Sequence, residues 1–279
     1  MGGEVLSAAP SGGLRPAGDS LAQRIADYQN TADHNEGLHA AFTRLTDTVP
    51  LLKRHRDWVE ARRWGYGDRA FHYLWWLALQ DLGRRFGRVR ALEIGVYKGQ
   101  TISLWALIAR ELGLAVEITA LSPFAGNTRW QPRFIRSLRK RFDRRYRAAQ
   151  AARNLHPMDD YLARNREIFA AFDLDFAPVR LVKGYSNDPA VMAQLGGQAF
   201  ELVYVDGDHS FEVVSSDIAN YAPLVVPGGY LVMDDAACEL PGETFWKGVA
   251  DVSRAARAIP ALGFDNLLNV GHNRLYRRN

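Results

Sequence analysis

The stretch LVYVDGDHSFEVVSSD, residues 202–217, decides how the chain is read. Leu202 to Val205 fit a buried strand, and they run directly into Asp206, Gly207, Asp208 and His209. From Phe211 the apolar positions recur at helical spacing through FEVVSSDIANYAPLV. A short apolar strand, a polar turn and a helix form the repeating unit of a parallel sheet covered on both faces.

Outward from this unit the same alternation recurs. VRALEIG, AVEITAL, VRLVKG and GYLVMDD read as strands, and QTISLWALIARELG, DPAVMAQLG and TFWKGVADVSRAAR as helices. FDNLLNVGHNRLYRR closes the chain as two strands around a turn at Gly271, an antiparallel addition at the sheet edge. Residues 1–20, rich in Gly, Ala, Ser and Pro, read as a disordered lead. Residues 21–87 carry a helical pattern. Within it DRAFHYLWWLALQDL starts with Asp68 as the expected N-cap and sets Phe71, Leu74, Trp75, Ala78 and Leu82 on one face, with Trp75 and Trp76 read as core. The expectation is a doubly wound α/β domain over residues 88–279, preceded by a helical extension and interrupted by a helical insertion at 124–177.

Composition narrows the classes. A chain of 279 residues suits one α/β domain with an extension. A formal charge of +4 is too small to argue for nucleic acid. Cys238 is the only cysteine, which excludes an internal disulfide and a cysteine zinc cluster and points to a reducing, cytoplasmic home. The opening residues lack the apolar run of a signal peptide, no segment approaches a membrane span, and Leu6 stands where a myristoylation pattern needs Ser or Thr. The preference for arginine over lysine, with abundant alanine, suggests a GC-rich bacterial genome.

In open α/β sheets ligands bind outside the carboxyl ends of the strands. After the first strand, EIGVYKGQT offers Glu93, a tight turn at Gly95, Gly99 where a ligand could approach the backbone, and a helix N-terminus at Gln100 and Thr101. The spacing is not G-x-G-x-x-G, which argues against a nicotinamide cofactor. The second strand ends at Ser122, where nucleoside-binding sheets usually carry a carboxylate for the ribose. LVKGYSNDP sets Tyr185 and Ser186 to flank a ring, or else forms only a turn and helix cap.

If the strands ending at Asp206 and at Asp234–Asp235 are neighbours, three carboxylates meet at one edge. They would repel unless protonated or neutralised by a cation. Oxygen ligands suit Mg2+, with Mn2+ or Ca2+ as alternatives, and the acids outnumber the imidazoles for a zinc site. His209, just past the turn, is the candidate base for a hydroxyl held there. The competing reading has Asp208 and Ser210 capping the next helix with His209 exposed. His272 and Asn273, near the last turn, are within reach of the site but are expected rather to serve the closing hairpin, and His156 could approach an acceptor.

LEIGVYKGQTISLW, VKGYSND, the run from Phe200 to Asp235 and NVGHNRLY together resemble class I S-adenosylmethionine-dependent methyltransferases. The branch they resemble holds the metal-dependent macrolide-sugar O-methyltransferases and the cephalosporin-hydroxylase-like proteins, and the likeness covers about Asp68 to Arg278. It implies a Rossmann-like, mostly parallel seven-stranded sheet with an antiparallel C-terminal edge strand. It also implies Asp206, Asp234 and Asp235 as Mg2+ (or Mn2+) ligands and His209 as general base. Glu93, Gly95, Tyr97, Gly99, Thr101, Ser122, Tyr185, Ser186 and Asp206 would then bind S-adenosylmethionine. Ser122 departs from the family's ribose-binding acid, which implies weaker cofactor binding or a homologue that has lost methyl transfer and acts as an accessory protein.

RWQPRFIRSLRKRFDRRYRAAQAARN, with Asp143 its lone acid, reads as a basic amphipathic helix carrying Trp130, Phe134, Leu138, Phe142 and Tyr146, and HPMDDYLARNREIF as a second helix. After the second strand they would form a lid. A basic lid suits a small-molecule acceptor that is acidic or carrier-linked. RNA phosphates, an anionic membrane surface, or packing against the core or a second subunit remain open for the same helix.

Overall fold

Seven strands form one sheet in the computed structural model, which describes residues 19–129, 131–151 and 154–279. The lead, up to residue 18, and Trp130 lie outside the described residues. The strands are β1 (Arg88–Ile94), β2 (Ala115–Ser122), β3 (Arg180–Lys183), β4 (Phe200–Val205), β5 (Val225–Met233), β6 (Phe264–Val270) and β7 (Asn273–Arg278). Their order is β3-β2-β1-β4-β5-β7-β6. All pairings among β1–β5 are parallel, and β7 runs antiparallel to β5 and to β6. The expected antiparallel pair does close the sheet. Its last strand turns inward to pair with β5 because β7 is buried on both sides, Leu275 in one core and Tyr276 in the other.

The strands alternate with period two between those cores. Ala91, Leu202, Tyr204, Tyr230 and Val232 face one, while Leu92, Ile94, Val203, Val205, Leu231 and Met233 face the other. The first is covered by α1 (Leu21–Asp27), α2 (Ala32–Thr48), α3 (Pro50–Arg62), α4 (Ala70–Phe86), α5 (Gln100–Leu112) and α8 (Tyr161–Ala171). The second is covered by α9 (Pro189–Leu195), α10 (Phe211–Tyr221) and α11 (Ala250–Ala256). The N-terminal extension is thus part of the domain's own core: Phe42, Leu52 and Trp75 belong with Leu268 of β6. By the same parity Glu93, Asp206 and Asp234 emerge on the first face at the carboxyl edge.

Four expectations are corrected. Asp68 does not cap α4: Arg69 occupies the cap position with no side-chain cap bond, and the Asp68 carboxylate turns to His39 (3.1 Å). The helix expected over 244–257 begins only at Ala250, because Gly248 adopts φ +84° beside the Asp235 backbone, where a Cβ would lie 2.1 Å from the Asp235 carbonyl oxygen. The first helix of the 124–177 insertion is two, α6 (Arg133–Phe142) and α7 (Arg144–Ala151), broken at Asp143, whose Oδ1 accepts from the Tyr146 N–H (2.9 Å). Among the lid's apolar positions Tyr146 is buried, whereas Phe134, Leu138 and Phe142 are exposed. The second predicted helix starts at Tyr161, capped by Asp160, and α8 is a core layer through Ile168 and Phe169. Among the described residues no helix is long and apolar enough to cross a membrane.

Candidate active site

A cavity of about 790 Å3 opens at the carboxyl ends of β1, β2, β4 and β5. Glu93, Gly95, Tyr97, Thr101, Ser122, Tyr185, Ser186, Asp206, His209, Asp234 and Asp235 all line it. Gly99 does not. The side where a Cβ would stand is filled by Asn165, whose Oδ1 would lie 2.7 Å away, so its small size makes room for the packing of α8.

Gly95 is required by backbone contact. It holds φ +98°, and a Cβ there would lie 1.9 Å from the Asp206 carbonyl oxygen. The ends of β1 and β4 are locked together by the Asp206 N–H donating to the Ile94 carbonyl (2.9 Å). Beside this turn Glu93 is buried, with Oε2 lacking any hydrogen-bond partner. Burial pushes its pKa up to about 8, against the Thr101 hydroxyl, with the Asp234 charge adding to the rise. Tyr97 packs edge-on against Tyr161 (centroids 4.6 Å) and near Tyr66 (5.4 Å).

At the opposite end, Ser122 is buried and its Oγ accepts from the Phe124 N–H (3.3 Å). The Ser186 carbonyl accepts from the Tyr221 hydroxyl (2.6 Å), which fixes the loop after β3, and Tyr185 is exposed at the mouth.

The acids gather where parity predicts. The Tyr204 hydroxyl lies 3.0 Å from Asp234 Oδ1 and 3.4 Å from Asp206 Oδ2. Burial raises the Asp206 pKa well above the usual carboxylate range, and the charges of Asp234, Asp235 and Glu93 add to it. Asp235 is raised by burial and by Asp234, against His272, His209 and the Trp246 indole. The Trp246 Nε1–H donates to Asp235 Oδ1 (3.1 Å). Ligand atoms of Asp234, Asp235 and His272 lie within 4.8 Å of one another. Among the described residues no lysine or arginine forms an ion pair with Asp206, Asp234 or Asp235. Carboxylates this crowded, faced by two imidazoles but by no lysine or arginine among the described residues, fit a bound divalent cation. Tyr204 and Trp246 went unassigned in the sequence, although Tyr204, two residues before Asp206, had to share its face; His272, expected chiefly to serve the closing hairpin, reaches the acids.

His209 is held from above. Its Nε2 stands 3.3 Å from Asp235 Oδ2, and its side chain is mostly covered. Asn154, at the base of the lid, donates from Nδ2 to Asp208 Oδ2 (2.7 Å), and its Oδ1 accepts from the His209 N–H (3.3 Å) and faces Nδ1 (3.2 Å). Asp208 Oδ1 accepts from the Ser210 N–H (2.6 Å). An ionised Asp208 can only accept, so the Asn154 amide nitrogen must face it and the amide oxygen must face His209. Nδ1 therefore donates to Asn154, while Nε2 faces the Asp235 carboxylate. His156 also lines the cavity, and burial together with the neighbouring His209 lowers its pKa.

A family model described as a methyltransferase domain matches residues 92–236, more than half of the chain. Among curated proteins, the uncharacterized protein R132 of Acanthamoeba polyphaga mimivirus is 33% identical over 66 residues, 23% of this chain and 30% of that protein. The chain thus spans less than a third of that relative's length. Among solved structures, the O-methyltransferase NovP superposes with a TM-score of 0.53 at 18% identity, over 75% of this chain and 79% of its own. The Bacillus cereus O-methyltransferase in complex with SAH gives 0.51 at 14%, over 88% and 99%. The calicheamicin methyltransferase CalS11 gives 0.50 at 16%, over 91% and 96%. At such identities these structures show a shared fold.

Proposed function

The chain belongs to the methyltransferase-domain family, and from that premise we propose that it transfers the methyl group of S-adenosylmethionine to a hydroxyl of a small molecule, with a divalent cation beside His209. The observation that carries this reading is the convergence of Asp206, Asp234, Asp235 and His209 on the cavity that also holds the Gly95 turn. S-adenosylmethionine supplies an electrophilic methyl group. Glu93, Gly95, Tyr97 and Thr101 bind its amino-acid end, and Tyr185 and Ser186 flank its base. Ser122 stands near the ribose, where a neutral hydroxyl gives a weaker bond than a carboxylate would.

Asp206, Asp234 and Asp235 would hold Mg2+ or Mn2+, which when bound lowers the pKa of an acceptor hydroxyl. The Nδ1–H of His209 is engaged by Asn154, so Nε2, which faces Asp235 Oδ2 at 3.3 Å, is the nitrogen that would take the hydroxyl proton once a cation draws that carboxylate to itself. Covering of the base by the lid excludes water and fixes its approach. The acceptor class we favour is a sugar or another hydroxylated natural product.

Calorimetry with S-adenosylmethionine and S-adenosylhomocysteine tests the cofactor: micromolar binding supports the reading, and none at millimolar ligand removes it. Turnover of a hydroxylated acceptor should stop in excess chelator and return with Mg2+ or Mn2+. Full turnover in chelator would eliminate the cation.

A further inference from the structure

We propose that the cation takes an imidazole ligand, His272 from the β6–β7 turn, and that the N-terminal helices support it through Asp68 and His39. The site would then favour a divalent transition cation such as Mn2+ over Mg2+. The proposal rests on the cation assigned above and extends its ligand set.

His272 is buried, and its Nε2 points at the acids, 3.5 Å from Asp234 Oδ1 and 3.6 Å from Asp235 Oδ1. These separations are of ion-pair range and longer than a good hydrogen bond, so the ring faces two carboxylates without a close bond to either. They are instead the spacing of donor atoms arranged around a common centre: ligands about 2.1–2.2 Å from an ion stand roughly 3 Å or more apart. On the other side of the ring, Nδ1 is buried without a hydrogen-bond partner, 3.6 Å from Asp68 Oδ2. The same Asp68 oxygen lies 3.1 Å from His39 Nε2 on α2.

A carboxylate behind a ligating imidazole is the usual arrangement that fixes the ring and raises its basicity. Phe71 packs edge-on against His272 at 4.5 Å and holds its plane. Asp68 thereby gains a role that explains why it does not cap α4. Nitrogen in a carboxylate site shifts preference toward transition cations, whose affinities exceed that of Mg2+ for such ligands.

Metal-stripped protein titrated with Mn2+ alone and followed by electron paramagnetic resonance provides the test, with pulsed detection of 14N coupling to the bound ion. Wild type should bind Mn2+ with an imidazole coupling. His272→Ala should lose that coupling and narrow the Mn2+ over Mg2+ preference by tenfold or more. His209→Ala should keep the coupling, which assigns it to His272 even if His272→Ala does not fold. Asp68→Asn should weaken Mn2+ about 10–100-fold with the coupling retained. Bound Mn2+ without 14N coupling, or coupling lost only in His209→Ala, overturns the His272 ligand and leaves the cation reading standing. No Mn2+ binding in wild type removes both.

Discussion

Replacing Asn154 by alanine isolates the contact between lid and base. The side chain gives three contacts: a 2.7 Å bond to the Asp208 carboxylate and two longer ones, 3.3 and 3.2 Å, from the His209 N–H and Nδ1. A hydrogen bond to an ionised group contributes ~1.5–3 kcal/mol net, and each long contact ~0.5 kcal/mol. Water at the cavity edge would replace part of this, leaving a loss of about 2 kcal/mol, or roughly 30-fold in the population of the aligned base. The variant should therefore lower kcat about 10–30-fold while the S-adenosylmethionine Kd moves less than ~3-fold, because no cofactor contact is removed. Long-range 1H–15N correlation of the imidazoles reads the cause directly: His209 should be Nδ1-protonated in wild type and should shift toward the Nε2–H tautomer in Asn154→Ala. An unchanged tautomer together with an unchanged kcat would refute the assignment of Asn154 as the residue that sets the base.

Asp217 is buried with both oxygens unpartnered, and burial, opposed by Ser186 and aided by Asp208, raises its pKa to about 7. The folded state then holds a proton that the unfolded chain releases near pH 4, so stability is full below pH 4 and declines as pH rises to 7. At ~1.4 kcal/mol per unit the loss approaches about 4 kcal/mol; Asp217→Asn should remove it, and urea titrations showing the same pH slope in both proteins would refute this. Gly248→Ala would set a Cβ 2.1 Å from the Asp235 carbonyl oxygen at φ +84°, and calorimetric unfolding should show a destabilisation of ~3 kcal/mol or more. Trp246→Phe removes the indole N–H from Asp235; Mn2+ titration should show about tenfold weaker binding with S-adenosylmethionine affinity unchanged.

The sheet was legible because its strands are short, apolar and bounded by turns, and because any parallel sheet delivers its strand ends to one edge. Asp206 and the pair Asp234–Asp235 are therefore placed together by the sequence alone, with Glu93 at the end of another strand of the same sheet. Asp68, Asn154, Trp246 and His272 are not, since each has a local signature for another role. Asp68 precedes an amphipathic helix and reads as a cap, but its carboxylate is drawn to His39 and His272. Trp246 sits inside an apparent helical period that Gly248 interrupts. In the lid, the run of arginines hides the break at Asp143, whose side chain satisfies the N-terminus of the next helix.

The pair Asp234–Asp235 poses a separate problem that neither composition nor periodicity reveals. Successive residues of a strand point to opposite faces, so two adjacent acids cannot both enter one site while the strand continues. The chain resolves this by ending β5 at Met233 and turning Asp235 into the left-handed region, φ +52°. Aspartate tolerates that conformation better than most residues, but the strain persists only where surrounding contacts impose it. Here the Val249 N–H bonds the Asp235 carbonyl (2.9 Å), Gly248 packs against its backbone, and Trp246 holds its carboxylate. The loop that replaces the expected helix is therefore the device that brings the second acid onto the same face as the first. Its irregularity follows from the demand that two neighbouring carboxylates share one centre.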